Sequence, residues 1–486
     1  MKYRALICIT LILLSGCKVS NEDDKEGPKA TIFPDYNTVI DSNEAIVITF
    51  DEPISSKNIS FTGDLNEDGF SRQIGGNVLT LIPNDYWSGG KQRNLSIKVQ
   101  DMLGNKSTIK LVLNFPLIFK NFQAADIVIG QADFNAKDLS GPSASSIGYL
   151  YGNVFSDGKK LFIADHKENR VLVFNDIPLS NQMPADFVIG QKDFNSGIET
   201  NKKIGMNSPQ MVATNNTQFF VVEYGNSRVL VYNQKPTGFN VLPDFVLGQQ
   251  DWGQSVAECD AQSLSSPETI VATDNKVLVT DSANNRVLIW DLPITQNAQL
   301  PNLVLGQADF DTYSPNHHVT LGSLRAPTGI WSDGDKVVVV DNENNRVLIW
   351  NEFPTKNNAL ADVIIGQSAK HLTAGNDNDQ DGVSDYVSAS TLFYPYGGVH
   401  SNGKQLCIAD RSNNRVLIWR EIPKNNFKPA DIVIGQPDML TRDKNIYQKH
   451  GRSARTLSSP TGCYFHDSKL FVSDDGNGRV LIYNSF

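Results

Sequence analysis

The chain carries 486 residues, with 43 basic against 53 acidic side chains and a formal charge of −10. An acidic surface repels a phosphate backbone, so no nucleic acid partner is expected. The five cysteines show no close spacing, which argues against a zinc site and against a disulfide framework.

Residues 1–16 begin with Lys2 and Arg4, continue with the apolar run 5–14 and end in Ser15-Gly16. That is a basic start and a hydrophobic stretch too short for a stable transmembrane helix, so a signal peptide is expected. Leu14-Ser15-Gly16-Cys17 resembles the bacterial lipobox. The resemblance implies cleavage before Cys17 and lipidation, palmitate included, of that residue; an ordinary signal peptide with an incidental cysteine is the alternative. Lys18 rather than Asp follows, which by resemblance to Gram-negative lipoproteins implies a membrane partner in the outer membrane, reached through the lipid anchor. Removing residues 1–16 takes Lys2 and Arg4 and no acid, leaving 41 basic against 53 acidic side chains. Residues 17–29 are charged, lack apolar periodicity and read as an acylated, solvated tether.

From 30 to 116 the pattern is one of separate alternating strands. AIVITF (45–50) sets Ile46, Ile48 and Phe50 on one face, and NLSIKV (94–99) does so with Leu95, Ile97 and Val99. Turns fall at Gly75-Gly76, Gly89-Gly90 and Gly104-Asn105, which predicts a small antiparallel sandwich. The phrases ITFDEPI (48–54), LTLIP (79–83) and DMLGN (101–105) resemble the SbsA-type Ig-like domains of bacterial surface proteins. The resemblance implies a module that spaces or presents another domain. Asp64, Asn66 and Asp68 before Gly69 imitate a calcium loop, but Arg72 at the ninth position favours a simple turn.

Residues 117–486 hold an internal repeat. DHKENRVLVF (165–174), EYGNSRVLVY (223–232), DSANNRVLIW (281–290), DNENNRVLIW (341–350), DRSNNRVLIW (410–419) and DDGNGRVLIY (474–483) place their arginines 58, 58, 60, 69 and 64 residues apart. A period of this size means a repeat architecture. Each copy has an apolar strand ending in an acid, a short turn rich in Asn, Gly or Ser, then Arg and a second apolar strand, the pattern of a tight β-hairpin. In RVLIW both faces are apolar, so the sheets are covered on both sides. An upstream Pro/Gly-marked strand, as in APTGIWSDG (326–334), and a downstream one, as in ADVIIGQ (361–367), complete four strands per unit. Six such units predict an all-β, six-bladed β-propeller.

The order of P-x-G, strand ending in Asp, short turn and Asn-x-Arg-Val or Asn-Arg-Val resembles the NHL repeat. Glu223 replaces Asp in the second copy, Tyr151 stands where the others have Pro, and Glu168 replaces the turn Asn. NHL propellers include lyases, RNA binders and protein-binding scaffolds, so the resemblance leaves function open. The chain ends just after the third strand of the last unit, while 125–131 is a fourth-type strand with none before it. Pairing the two removes an exposed edge, so 125–131 is expected to close the blade of 458–486.

With strands named a to d outward from the axis, the b–c turns share a face with the d–a connections. The d–a connections are long, the longest being 368–393, so a ligand is expected on that face over the channel mouth. The repeated pairs Asp165 and Arg170, Glu223 and Arg228, Asp281 and Arg286, Asp341 and Arg346, Asp410 and Arg415, and Asp474 and Arg479 occur six times over, whereas a catalytic site needs one constellation. Charge-assisted bonding within the blades is their expected role, and the repeated Gly-Gln of strand d reads likewise.

The NHL-like amidating lyases use histidines around a metal. Here the histidines share no repeat position, and His317-His318, adjacent in one loop, are poorly placed to chelate one ion. No Ser-His-Asp set or phosphate-binding glycine loop is apparent, and Cys407 and Cys463 read as buried small hydrophobes. GNDNDQDGVSDY (375–386) places Asp377, Asp379, Asp381 and Asp385 at positions 1, 3, 5 and 9 with Gly382 at the sixth, similar to EF-hand and thrombospondin type 3 loops. Ser388 stands at the twelfth position, where those loops have an acid. Calcium is the one cofactor expected, and a solvated acidic loop is the alternative. The reading as a whole is a lipid-anchored outer-membrane protein that binds a protein or carbohydrate, with no catalytic residues assigned. An extracytoplasmic enzyme of the lyase or lactonase kind, with a metal at the channel mouth, is the alternative.

Overall fold

The computed structural model describes residues 25–33, 45–84, 87, 92–114, 117–137, 141–315, 318–446 and 451–486. Cys17, the lipobox, His317 and His450 lie outside these, as does the side chain of Asp68. The chain divides into two compact units, 1–116 and 117–486.

In the first unit, Ile46–Phe50 pairs on one side with Ala30–Phe33 and on the other with Val78–Pro83, which carries Phe70–Gly75 at its far edge. A second sheet holds Ser60–Thr62, Gln92–Gln100 and Lys106–Asn114. Alternate side chains turn inward, as period-two strands require. Ile46, Ile48, Phe50, Leu95, Ile97 and Val99 meet in one core that also buries Trp87. Asp64 accepts the backbone N–H of Asn94 at 2.6 Å, fixing a turn at the imitation calcium loop.

The second unit is a propeller of six four-stranded antiparallel sheets. Blade 4 is typical: Pro327–Ser332, Val337–Asp341, Arg346–Trp350 and Val363–Ile365 are its strands a to d. The first strands of neighbouring blades meet, so strand a lines the axis. Arg346–Trp350 is buried along its whole length, because blades pack on both of its faces.

Each b–c turn ends in a left-handed residue: Asn169, Ser227, Asn285, Asn345, Asn414 and Gly478 have φ between 49° and 61°. Asn and Gly tolerate that conformation best. The Gln at the end of strand d donates to the carbonyl of this same residue, as Gln191 does to Asn169 at 2.8 Å and Gln131 to Gly478 at 2.8 Å.

Every repeated Arg is wholly buried against its acid, with Nε 2.5 to 2.9 Å from a carboxylate oxygen. The rest of the guanidinium binds carbonyls of the d–a connections. Arg346 donates to Thr320 and Ser323 before its blade, at 2.8 and 3.0 Å, and to Lys370 after it, at 2.9 Å. The pair therefore staples its hairpin to the loops on either side, except in blade 2, where Arg228 donates to Asn201 and Lys202 of the preceding connection at 2.7 and 3.3 Å. Burial pushes the carboxyls of Asp165, Glu223, Asp281, Asp341 and Asp410 above the usual range, while the adjacent guanidinium pulls the other way.

Blade 6 takes its outer strand from far upstream. Ile127–Ile129 pairs antiparallel with Arg479–Asn484, setting Ile129 opposite Val480 and Ile127 opposite Ile482. One sequence expectation is corrected. Cys407 and Cys463 are fully buried, but they are joined in a disulfide with Cα atoms 6.2 Å apart. Cys407 lies in Leu406–Asp410, strand b of blade 5, and Cys463 in Gly462–His466, strand a of blade 6. Blade packing brings together positions that the repeat does not align.

Candidate binding site at the channel mouth

The frame that defines the mouth is the second oxygen of the repeated acid. It accepts the backbone N–H of a residue 16 or 17 positions earlier: Gly148, Asn207, Ser265, Arg325, Phe393 or Ser458. Three residues on from each comes a ring of equivalent positions at the head of strand a: Tyr151, Gln210, Glu268, Thr328, Tyr396 and Thr461. These are the x of P-x-G in blades 4, 5 and 6 and its counterparts in Leu150-Tyr151-Gly152, Pro209-Gln210-Met211 and Pro267-Glu268-Thr269. The register sets Leu150, not Tyr151, against the prolines, which corrects the reading from sequence. A second ring follows the acids directly: His166, Tyr224, Ser282, Asn342, Arg411 and Asp475.

Contacts between blades that are not neighbours show where the rings converge. Tyr396 of blade 5 donates its hydroxyl to Oε2 of Glu268 in blade 3 at 2.8 Å. Arg411 of blade 5 lies over the Tyr396 ring at 5.1 Å and over the Tyr151 ring of blade 1 at 6.0 Å. His166 packs 4.6 Å from the Tyr151 ring and 6.4 Å from that of Tyr224 in blade 2. Only near the axis do such distances occur together.

Three polar atoms here are buried without a hydrogen-bond partner: Nδ1 of His166, Oε1 of Gln210 and Nε of Arg411. Such atoms are rare in folded proteins, and a bound polar group or water at the mouth would satisfy all three. Burial pushes the Glu268 carboxyl up to about 8, against the Tyr396 hydrogen bond and the Arg411 charge. It pushes Asp475 up to about 6, against the Leu150 N–H and Arg411, and His166 down to about 4. Near neutral pH the mouth therefore presents a guanidinium, a largely protonated carboxyl and a neutral imidazole. Perturbed groups gathered in one place mark a functional site.

In the 375–386 loop, ligand oxygens of Asp377, Asp379 and Asp381 lie within 4.8 Å of one another, the only such group of three among the described residues. Asp377 is fully buried and accepts the N–H groups of Asp381 and Gly382 at 3.1 and 2.9 Å. Asp385 is outside this set, its carboxylate accepting the N–H groups of Asn378 at 2.8 Å and of Asp379 at 3.4 Å. Such an all-oxygen set suits calcium better than a softer metal. The loop touches the turns of the same face through Asn376, which donates to Asn413 at 2.9 Å. Of the other histidines, His318 and His371 are exposed, while His400 is covered by Tyr464 at 4.1 Å and accepts the N–H of Phe465 at 3.2 Å.

Sequence reasoning missed Glu268, Tyr396 and Arg411. The signal was present: within a repeat that holds its frame fixed, the x of P-x-G and the residue after each acid differ from blade to blade.

No protein-family model matches the chain, and no curated protein matches it. Among solved structures, the chain is similar to a protein of unknown function from Bacteroides thetaiotaomicron, at 10% identity over 96% of this chain and 100% of that one, with a TM-score of 0.39. It is also similar to the aldose sugar dehydrogenase of Streptomyces coelicolor, at 12% identity, 73% and 97% coverage and a TM-score of 0.35. A third is the periplasmic gluconolactonase of Pseudomonas aeruginosa, at 11% identity, 82% and 83% coverage and a TM-score of 0.32. The blade topology, rather than these likenesses, establishes the architecture.

Proposed function

We propose that this chain is a lipid-anchored binding protein of the outer membrane, its NHL-type propeller holding a protein or carbohydrate ligand over the channel mouth. The observation that carries the reading is the set of three unpartnered polar atoms, on His166, Gln210 and Arg411, converging from blades 1, 2 and 5. The buried Cys407–Cys463 disulfide supports an oxidising, exported setting. Lipid on Cys17 and an Ig-like spacer over 30–116 would present the propeller away from the membrane, and calcium on Asp377, Asp379 and Asp381 would brace the loop beside its mouth. A lyase- or lactonase-type enzyme is the second reading, favoured by Glu268, a carboxyl held protonated as a general acid must be.

The test is a pull-down and glycan array with the form lacking residues 1–17, beside its Arg411→Ala variant. Capture that depends on Arg411 supports the mouth, and conversion of a captured ligand supports the enzyme. Equal capture by both forms would place binding elsewhere. Labelled palmitate entering Cys17→Ala would end the anchor reading.

A further inference from the structure

The six frame arginines and Arg411 differ in one respect. Each frame guanidinium is saturated by a carboxylate and by loop carbonyls, whereas the Arg411 guanidinium donates to no acceptor within hydrogen-bond range among the described residues. It is held in place by the faces of Tyr396 and Tyr151, at 5.1 and 6.0 Å. Its nearest acid, Asp475, is 4.0 Å away, beyond hydrogen-bond range, and already accepts the Leu150 N–H at 3.1 Å. Its side chain is 32% exposed. A planar fork of donors, positioned by two rings and left unused, is a preorganised receptor for a planar anion.

The surroundings narrow the anion. A single guanidinium faces the Asp475 carboxylate and a protonated Glu268, so it has no second positive charge to balance a dianionic phosphate. A carboxylate carries one charge and matches the fork with two parallel bonds. Beside the fork, Glu268 uses one oxygen to accept from Tyr396, so a proton on the other is free to be donated. Gln210, 1% exposed, offers Oε1 as an unpaired acceptor, and His166 an unpaired ring nitrogen. Those atoms call for hydroxyl groups near the carboxylate. The rings of Tyr151 and Tyr224, the latter 39% exposed, offer flat apolar faces for the carbon skeleton.

We infer that the channel mouth receives the carboxylate of a small polyhydroxy acid, an acidic sugar free or at the end of a glycan, with Arg411 gripping the carboxylate and Gln210 and His166 taking neighbouring hydroxyls. The inference rests on the mouth being the ligand face and names the chemistry held there.

Titration calorimetry on the full chain in detergent tests it, with galacturonate, galactose, trigalacturonate and inorganic phosphate as probes. Galacturonate should bind at least roughly tenfold tighter than galactose or phosphate. Arg411→Lys, which keeps the charge and loses the fork, should weaken galacturonate by roughly tenfold or more. Gln210→Ala should weaken galactose and galacturonate alike, and unchanged melting curves would show both variants folded. Tighter binding of trigalacturonate than of galacturonate assigns a glycan as the source, and equal binding assigns the free acid. Galactose bound as tightly as galacturonate, or an affinity indifferent to Arg411→Lys, overturns the carboxylate grip while leaving the mouth as a site. Binding that survives both variants overturns the mouth as well, and heat from none of the probes overturns the sugar-acid class.

Discussion

Tyr396 donates its hydroxyl to Oε2 of Glu268 at 2.8 Å, although 128 residues and an intervening blade separate the two. Neither residue belongs to the repeated frame. Their bond exists because the frame carries two variable positions to the axis, where blades that are not neighbours come within reach. The frame supplies stability, and the positions it leaves variable supply chemistry.

Glu268 should make stability depend on pH in a direction opposite to that of an ordinary carboxylate. Its folded value of about 8 stands above the usual 4.5, so the native state holds the proton more tightly than the unfolded chain. The contribution is fully present below the unfolded value and is lost as pH rises through about 8. Tyr396 and Arg411, the groups that face it, remain in both proteins when Glu268→Gln is compared with the parent. The amide keeps an acceptor for Tyr396 and cannot ionise. Melting temperatures should coincide near about pH 4, with the variant higher by several degrees near about pH 8.5, an effect on the order of a few kcal/mol. Equal melting at both pH values would contradict it.

Removing one member of a frame pair should cost far more than a surface ion pair would. Arg346→Ala leaves Asp341 buried without its counter-charge and strips Thr320, Ser323 and Lys370 of their donor. Denaturant unfolding should show a loss of about 3–5 kcal/mol. Asp341→Ala with Arg346→Ala should cost clearly less than the two single losses added, because the second removal relieves the uncompensated charge. Strict additivity would mean that the pair is not acting as a unit.

The frame was legible because the same residue types recur at the same offsets, so Asp341 and Arg346 could be read as architecture from their five counterparts. The mouth was not, since Glu268, Tyr396 and Arg411 each occur once and meet only after the ring forms. Cys407 and Cys463 escaped for a related reason: one lies in a second strand and the other in a first, so no repeat alignment pairs them. The acidic loop was legible in part. Asp377, Asp379 and Asp381 gather, but Asp385 spends its carboxylate on backbone N–H groups, a choice that spacing alone does not reveal.

Calcium is expected to bind through Asp377, Asp379 and Asp381. A ligand that binds only the native state raises its melting temperature once its concentration exceeds Kd. Millimolar calcium should therefore raise melting in the parent and not in Asp379→Ala. With Asp385 outside the group, Asp385→Asn should keep most of the response. No shift in the parent, together with no calorimetric heat, would leave the loop a solvated acidic turn.

The ring should depend on its closing strand more than on any other contact of similar size. Ile127–Ile129 adds only three Cα pairings to Arg479–Asn484, but the residues around it extend the seam. Asp126 donates its N–H to Ile482 at 2.8 Å and accepts that of Asn484 at 2.7 Å, and Ile118 donates to Ser485 at 2.7 Å. Arg479 reaches across to the Phe134 carbonyl, the staple that Arg170, Arg286, Arg346 and Arg415 also make to the connection after their blades. The disulfide cannot substitute, because Cys407 and Cys463 join blades 5 and 6, which the chain already links. Among the described residues this seam is the sheet pairing that joins the two ends of the propeller, and without it the outer edge of Arg479–Asn484 lies open to other chains. Deleting 124–131 should give a propeller that melts far lower and elutes as aggregate on size exclusion, whereas deleting 30–115 should leave its melting nearly unchanged. A monomeric protein with parental melting after the first deletion would show that five complete blades and a three-stranded sixth hold the ring unaided.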